Sequence, residues 1–286
     1  VGKVIGLFAG RGDLPKKIID YCHTNKMPLY LVAFEGQTEP ALVDFHAGQN
    51  HQASSNTLWT HYGAVAQILA YLKTNKVTHI VMAGSMQRPS WSQIKLDWKG
   101  TQWLAKMGLA KIGSRGIGDD GLLSQIELLL KQEGFDMMSA TDILEDLAAT
   151  AGVLGKYQPD EMNWQDINRG VKIINQLGGA DVAQAVVVQD GLVLGIEAIE
   201  GTESLLSRCA SLRRDGRGGV LVKMSKPNQS RNIDLPTIGL ATINQAKSAS
   251  LEGIAIEAGT TQILDRDAVI KAADEAGLFL VGISAS

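Results

Sequence analysis

Short apolar runs alternate with longer amphipathic stretches along the first half of the chain. "KVIGLF" (3–8), "LYLVAF" (29–34) and "THIVMAG" (78–84) are β-rich and largely apolar at successive positions. That pattern predicts strands covered on both faces. Between them, "LPKKIIDYCHTNK" sets Ile18, Ile19 and Cys22 at helical spacing, and "YGAVAQILAYLKTNK" sets Val65, Ile68, Leu69 and Leu72 on one side. Strands joined by helices of this length predict a parallel sheet with helices on its faces. Leu122, Leu123, Ile126 and Leu129 form one more helical stripe, which Gly134 ends. "DMMSATDILEDL" closes this first domain. The loop-rich stretch 150–162 marks the boundary, so the predicted division is 1–150 and 151–286.

The second half follows another rhythm. "MNWQDINRGVKIINQLGG" predicts a helix ending at Gly178-Gly179. "VAQAVVVQ" and "LVLGIEAI" are β-rich runs separated by Asp190-Gly191, the dipeptide that suits a type I′ hairpin turn. "GVLVKMS", "GIAIEAG" and "TQIL" read as further strands, "RDAVIKAADEAG" as a helix and "LFLVGI" as the last strand. The expectation is a mixed α/β domain with at least one antiparallel pair.

Composition narrows the function. Of 286 residues 45% are hydrophobic, enough to bury a sizeable core in one large domain or two ordinary ones. A net charge of −3 gives no general attraction to nucleic acid or to an anionic membrane. Cys22 and Cys209 lie far apart and match neither a disulfide framework nor a zinc motif, which suits a reducing compartment. The opening "VGKVIGLFAG" reads as a strand and not as a signal peptide. No run approaches the roughly 20 apolar residues of a membrane span. The expected location is cytoplasmic.

Four regions hold candidate chemistry. In "FAGRGDLP" (8–15), Gly10 and Gly12 follow a strand and a helix starts near Asp13. Such glycines let a phosphate approach the backbone and the helix N-terminus. Pro15 stands where the dinucleotide fingerprint has its third glycine, and Glu35 is placed to hold a ribose hydroxyl. A tight strand–helix turn without a ligand explains the same residues. "AGSMQRPSW" (83–91) offers Arg88 at the carboxyl end of a strand, either to grip a phosphate or to stack on Trp91. Asp119 and Asp120 stand at a helix start, where capping is the ordinary reason for acids. In the second half Glu197, Glu200 and Glu203 precede Arg208, and "VKMSKPNQSRNIDLP" adds Lys223, Lys226, Gln229, Arg231 and Asp234. Carboxylates able to hold Mg²⁺, beside cations able to hold phosphate oxygens, are what water attack on phosphorus requires. The five histidines all precede residue 80 and form no ligand pair, so oxygen donors and a hard cation fit better than zinc.

"AGRGDLP", "AGSMQRP", "GDDGLL", "DVAQAVVVQDGLVLGIEAIEGTESLLSR", "KPNQSRNIDLPTIG" and the ending "GIAIEAGTTQILDRDAVIKAADEAGLFLVG" together resemble the UDP-2,3-diacylglucosamine pyrophosphatase family of lipid A biosynthesis. This is the type without a metallophosphoesterase motif, found in certain Gram-negative bacteria. The resemblance spans nearly the whole chain, and "IEAIEGTE" is its most specific block. It implies a Rossmann-like parallel-sheet N-terminal domain and a family-specific, catalytic α/β C-terminal domain. It also implies Mg²⁺-dependent hydrolysis of UDP-2,3-diacylglucosamine to UMP and 2,3-diacylglucosamine 1-phosphate (lipid X), with water attacking the phosphorus on the sugar side. Carried over by position, Asp234, Glu197, Glu200, Lys223 and Arg208 are the expected catalytic residues, with Asp234 and Glu200 on the metal. Gly10, Gly12, Leu14, Pro15, Arg88, Asp119, Asp120, Gly201, Thr202 and Gln229 are the expected substrate contacts. Ser230 departs from the family, which has an acid after the glutamine. A lipid substrate implies transient contact with the inner-membrane surface, no nucleic acid is implied, and oligomers are compatible. The rival readings are an NAD(P)-dependent oxidoreductase with Glu35 on the ribose and a non-catalytic nucleotide-sugar or lipid-binding protein.

Overall fold

The first apolar run becomes the central strand of a sheet. In the computed structural model, which describes residues 2–49, 56–87, 94–107, 119–180, 182–226, 233 and 235–284, the chain divides into two units. The first takes residues 1–144 with 232–234, and the second takes 145–231 with 235–286.

The first unit runs β1 (Ile5–Ala9), α1 (Asp13–Thr24), β2 (Leu29–Phe34), α2 (Pro40–Gln49), β3 (Thr57–Thr60), α3 (Val65–Thr74), β4 (His79–Ala83), α4 (Trp98–Lys106), α5 (Asp119–Gln132) and β5 (Asp136–Met138). Every pairing is parallel, in the order β3-β2-β1-β4-β5. This is the Rossmann-like sheet that the resemblance implies. The order reverses at β1, so the crevice between the loops after β1 and β4 is where an open sheet of this type binds a ligand. The three expected strands are β1, β2 and β4. The pattern does not reveal β3, "TLWT", or β5, "DMM". Both are edge strands, and edges are often kept short and partly polar. One face of the sheet packs Phe8, Val32 and Ile80 against Leu69, Leu72 and Leu130. Ile233, counted with this unit, joins the same cluster.

The second unit contains β6 (Gly152–Val153), α6 (Glu161–Gly178), β7 (Ala185–Gln189), β8 (Leu192–Ile196), α7 (Gly201–Leu212), β9 (Val220–Lys223), β10 (Thr237–Ile238), α8 (Leu240–Ser248), β11 (Gly253–Glu257), β12 (Gln262–Ile263), α9 (Arg266–Ala276) and β13 (Phe279–Ile283). Its main sheet has the order β6-β13-β11-β9-β7-β8. The centre, β13-β11-β9, is parallel, whereas β6, β7 and β8 pair antiparallel. Two apolar layers cover its faces. Leu205, Leu206 and Cys209 of α7 pack with Ala185, Val187, Leu221, Ile254 and Ile256 on one side. Ile167 and Ile174 of α6 pack with Val186, Val188, Val220 and Val222 on the other.

The β7–β8 hairpin turns at Asp190 and Gly191, with φ of 48° and 73°. Both are positive, as a type I′ turn demands. The register then shifts between Val187 and Val188, so that Leu194 is an extra residue on β8. Without this bulge every later side chain of β8 would change face. With it, Glu197 lies on the α7 side.

Asp166 of α6 holds the hairpin from below. Only 4% exposed, it accepts from the Asp190 amide on Oδ2 at 2.9 Å and from the Gly191 amide on Oδ1 at 2.6 Å. Asp166→Ala leaves both amides without that acceptor and should lower stability by about 2–3 kcal/mol. The expected result is a lower urea midpoint at unchanged slope. A wild-type midpoint would mean that the turn holds its own shape.

Candidate active site

Glycine 195 decides how closely α7 approaches the sheet. A Cβ there would come within 2.6 Å of Cys209 Sγ and 2.7 Å of Leu205 Cδ1. Its absence seats α7 on β8, with Gly201 and Thr202 in the first turn. The Glu197 amide extends the ladder by donating to Ala185 O at 2.8 Å, and Ala185 pairs with Lys223 of β9. Glu197, Ala185 and Lys223 therefore stand abreast on one face, at the carboxyl end of β9.

Glu197 and Lys223 are each 8% exposed. Thr202 joins them. Lys223 Nζ donates to Thr202 Oγ1 at 3.0 Å and to the Thr237 carbonyl at 2.9 Å. Thr202 Oγ1 in turn donates to Glu197 Oε1 at 2.9 Å. Glu197 Oε2 is buried and has no hydrogen-bond partner among the described residues. A buried carboxylate oxygen without a donor is costly, and such an atom suits a ligand, an ion or a proton.

Glu200 and Arg208 form the rim. Arg208 Nη2 donates to Glu200 Oε1 at 2.8 Å and to the Ile196 carbonyl at 2.5 Å, while Glu200 Oε2 accepts from the Ala198 amide at 3.0 Å. Its own backbone amide, and next the Arg208 guanidinium, hold the Glu200 carboxyl below the usual carboxylate range. Glu203 is exposed on α7, a solvated position. Ile199, between the two acids, is completely exposed.

The expected site residues miss one set. Beyond Thr237, whose Oγ1 lies 3.3 Å from Gln262 Oε1, the loop after β11 holds Thr260 and Thr261, 7% and 0% exposed. Both hydroxyls lack a partner among the described residues, and so does Ser225 Oγ after β9. The Ser225 amide donates to Glu257 Oε2 at 2.8 Å, which adds a further buried acid at the end of β11. In sequence these residues look like ordinary strand ends. Only their position at the carboxyl edge of neighbouring parallel strands marks them.

The glycines of the first unit have a structural explanation. The Arg11 amide donates to Ser85 O at 2.9 Å, and the Ser85 amide to Arg11 O at 3.0 Å. This pairing ties the loops after β1 and β4 together across the crevice. A Cβ on Gly10 would lie 2.4 Å from Ser85 O, and one on Gly84 would lie 2.9 Å from Pro15 Cγ. Gly10 thus permits backbone approach to backbone, Pro15 fills the space beside Gly84, and Leu14 is buried in α1. Gly12, with φ of 94°, is the N-cap of α1 and has open space above it. Arg11 reaches sideways to the Gly36 carbonyl at 2.8 Å, and Glu35 is exposed. Asp119 and Asp120 begin α5. Arg88, Gln229 and Asp234 lie outside the described residues.

Two family models match the chain, the LpxI N-terminal domain over residues 4–147 and the LpxI C-terminal domain over residues 150–281. The UDP-2,3-diacylglucosamine pyrophosphatase LpxI of Caulobacter vibrioides is 34% identical over 285 residues, which cover 98% of this chain and 97% of that protein.

Thr261 offers a direct test of the unpartnered hydroxyls. Thr261→Val keeps the shape and removes the orphan group, so it should stabilise the free protein by about 1 kcal/mol. The expected reading is a higher thermal midpoint. A lower midpoint would show that the hydroxyl has a structural partner.

Proposed function

The chain belongs to the LpxI family, and from that premise we propose that it hydrolyses the diphosphate of UDP-2,3-diacylglucosamine, releasing UMP and 2,3-diacylglucosamine 1-phosphate in lipid A biosynthesis. Glu197, Glu200, Lys223 and Arg208 lie in the second unit, within the domain expected over 151–286. The observation that carries this reading is the buried chain from Lys223 through Thr202 to Glu197, which ends in a carboxylate oxygen with no partner among the described residues.

In this reading a water oxygen attacks the phosphorus on the sugar side, and the bond from that phosphorus to the UMP oxygen breaks. Glu197 Oε2 takes the water's proton, since Oε1 is already engaged by Thr202. Lys223, fixed by two oxygens, and Arg208 at the rim meet charge as it grows on the phosphoryl oxygens. The N-terminus of α7 adds its partial positive charge beside them. Ile199 offers apolar surface next to these groups, as a substrate with two acyl chains needs. Such a substrate also brings the protein to the inner-membrane surface from the cytoplasm. No helix among the described residues is long and apolar enough to cross a membrane.

A hard divalent cation suits the donor chemistry here, which is all oxygen. The described residues alone do not complete a set, because no group of three or more His, Cys, Asp or Glu gathers among them. The resemblance assigns Mg²⁺ to Glu200, which sits at the rim beside Arg208, and to Asp234, which lies outside the described residues. When bound, the ion would neutralise diphosphate charge. The nicotinamide reading loses its main support, since Gly10 and Gly84 serve the contact between two loops.

Incubating the protein with UDP-2,3-diacylglucosamine, with and without Mg²⁺, tests the proposal through UMP release. UMP should appear only with the metal. Glu197→Gln and Lys223→Met should each lower kcat by roughly 100-fold or more while the protein stays folded. An absence of UMP from the wild-type protein, or full activity in Glu197→Gln, would end this reading.

A further inference from the structure

We infer that Thr202 is a positioning residue that fixes the direction of the proton path at Glu197, and that it is not a substrate contact. The inference rests on the reaction proposed above and concerns how its base is held.

A threonine hydroxyl has one hydrogen to give and two lone pairs. Thr202 Oγ1 lies 3.0 Å from Lys223 Nζ and 2.9 Å from Glu197 Oε1. The lysine ammonium can only donate, so the hydroxyl accepts from it and its single hydrogen points to the carboxylate. The polarity of the chain is therefore settled by the residue types, with no freedom to reverse. Two consequences follow. Glu197 Oε1 is always an acceptor, so a proton arriving from water is carried on Oε2. The positive charge of Lys223 is also transmitted to the carboxylate through a polarised hydroxyl, while Thr202 and the Thr237 carbonyl take two of the hydrogens of the ammonium.

The backbone accounts for the placement. Gly201 opens α7 with φ of 79°, a left-handed value that suits glycine, and Thr202 follows it in the first turn. Gly195 lets the helix come down far enough for the hydroxyl to span an acid on the extension of β8 and a lysine on β9. With its one hydrogen given to Glu197 and one lone pair taken by Lys223, the hydroxyl has no donor left for the phosphate oxygens of a substrate. Serine preserves the hydroxyl. Valine preserves the shape and breaks the chain at both ends.

The test compares Thr202→Val and Thr202→Ser with wild-type protein, using UDP-2,3-diacylglucosamine, Mg²⁺ and UMP release. Thr202→Val should lower kcat about 10- to 100-fold with KM within about twofold. Thr202→Ser should restore kcat to within a few-fold of wild type. A substrate contact would instead raise KM at unchanged kcat, and a purely structural hydroxyl would move the thermal midpoint with kcat intact. Either result overturns the assignment and leaves the proposed reaction standing. No UMP from the wild-type protein removes both.

Discussion

Lys223 carries its ammonium to a place where only 8% of the residue is exposed, and an ion so placed is tolerated only where oxygens meet it. Two of those oxygens come from different elements, Thr202 at the start of α7 and Thr237 in β10. The demand fixes more than two bonds. α7 must lie against β8, which requires Gly195, and β10 must run beside β12, where the Gln262 amide is tied to the Pro236 carbonyl at 2.7 Å. Glu197 must stand on the same face as Lys223, which requires the bulge in β8. Hydrophobic packing has no preferred direction, whereas the hydrogen bonds of a buried cation do.

Both units use glycine for close approach, to different ends. In the first unit Gly10 and Gly84 bring two loops together at the reversal of strand order, and the paired Arg11 and Ser85 backbones seal that contact. In the second unit Gly195 brings a helix to a strand and leaves polar groups gathered at the carboxyl edge. A short glycine motif looks alike in both settings. What separates them is whether the atom that a Cβ would strike is backbone of the next loop or side chain of the covering helix.

Much of the architecture was legible because burial writes itself into composition. The strands covered on both faces, β1, β2, β4, β7, β9, β11 and β13, show unbroken apolar stretches, and Asp190-Gly191 announces its turn. Edge strands and short helices escaped, since "TLWT", "DMM" and "LATINQAKS" bury too little to impose a period. α7 begins at Gly201, where the glycine takes a positive φ that no apolar pattern encodes. The acids of "IEAIEGTE" were legible as a group and their separate roles were not. Glu197 differs from Glu203 in burial, and burial there depends on a one-residue bulge three positions earlier.

Among the described residues, the buried side-chain polar atoms of the second unit that lack a partner gather in one region. Glu197 Oε2, Ser225 Oγ and the hydroxyls of Thr260 and Thr261 all lie near the ends of β8, β9 and β11. Random imperfections in packing would scatter over both faces and both ends of the sheet. The opposite end shows the contrast. There Arg217 bonds Glu252 at 2.8 Å and pairs with Asp160 at 2.7 Å, Gln189 caps the Arg214 and Arg217 carbonyls, and Asp166 closes the hairpin. One end spends its polar groups on the fold. The other holds them in fixed directions without using them up, and each costs stability while it waits. That asymmetry supports the proposed site at the carboxyl edge of the parallel strands of the second unit, independently of any motif.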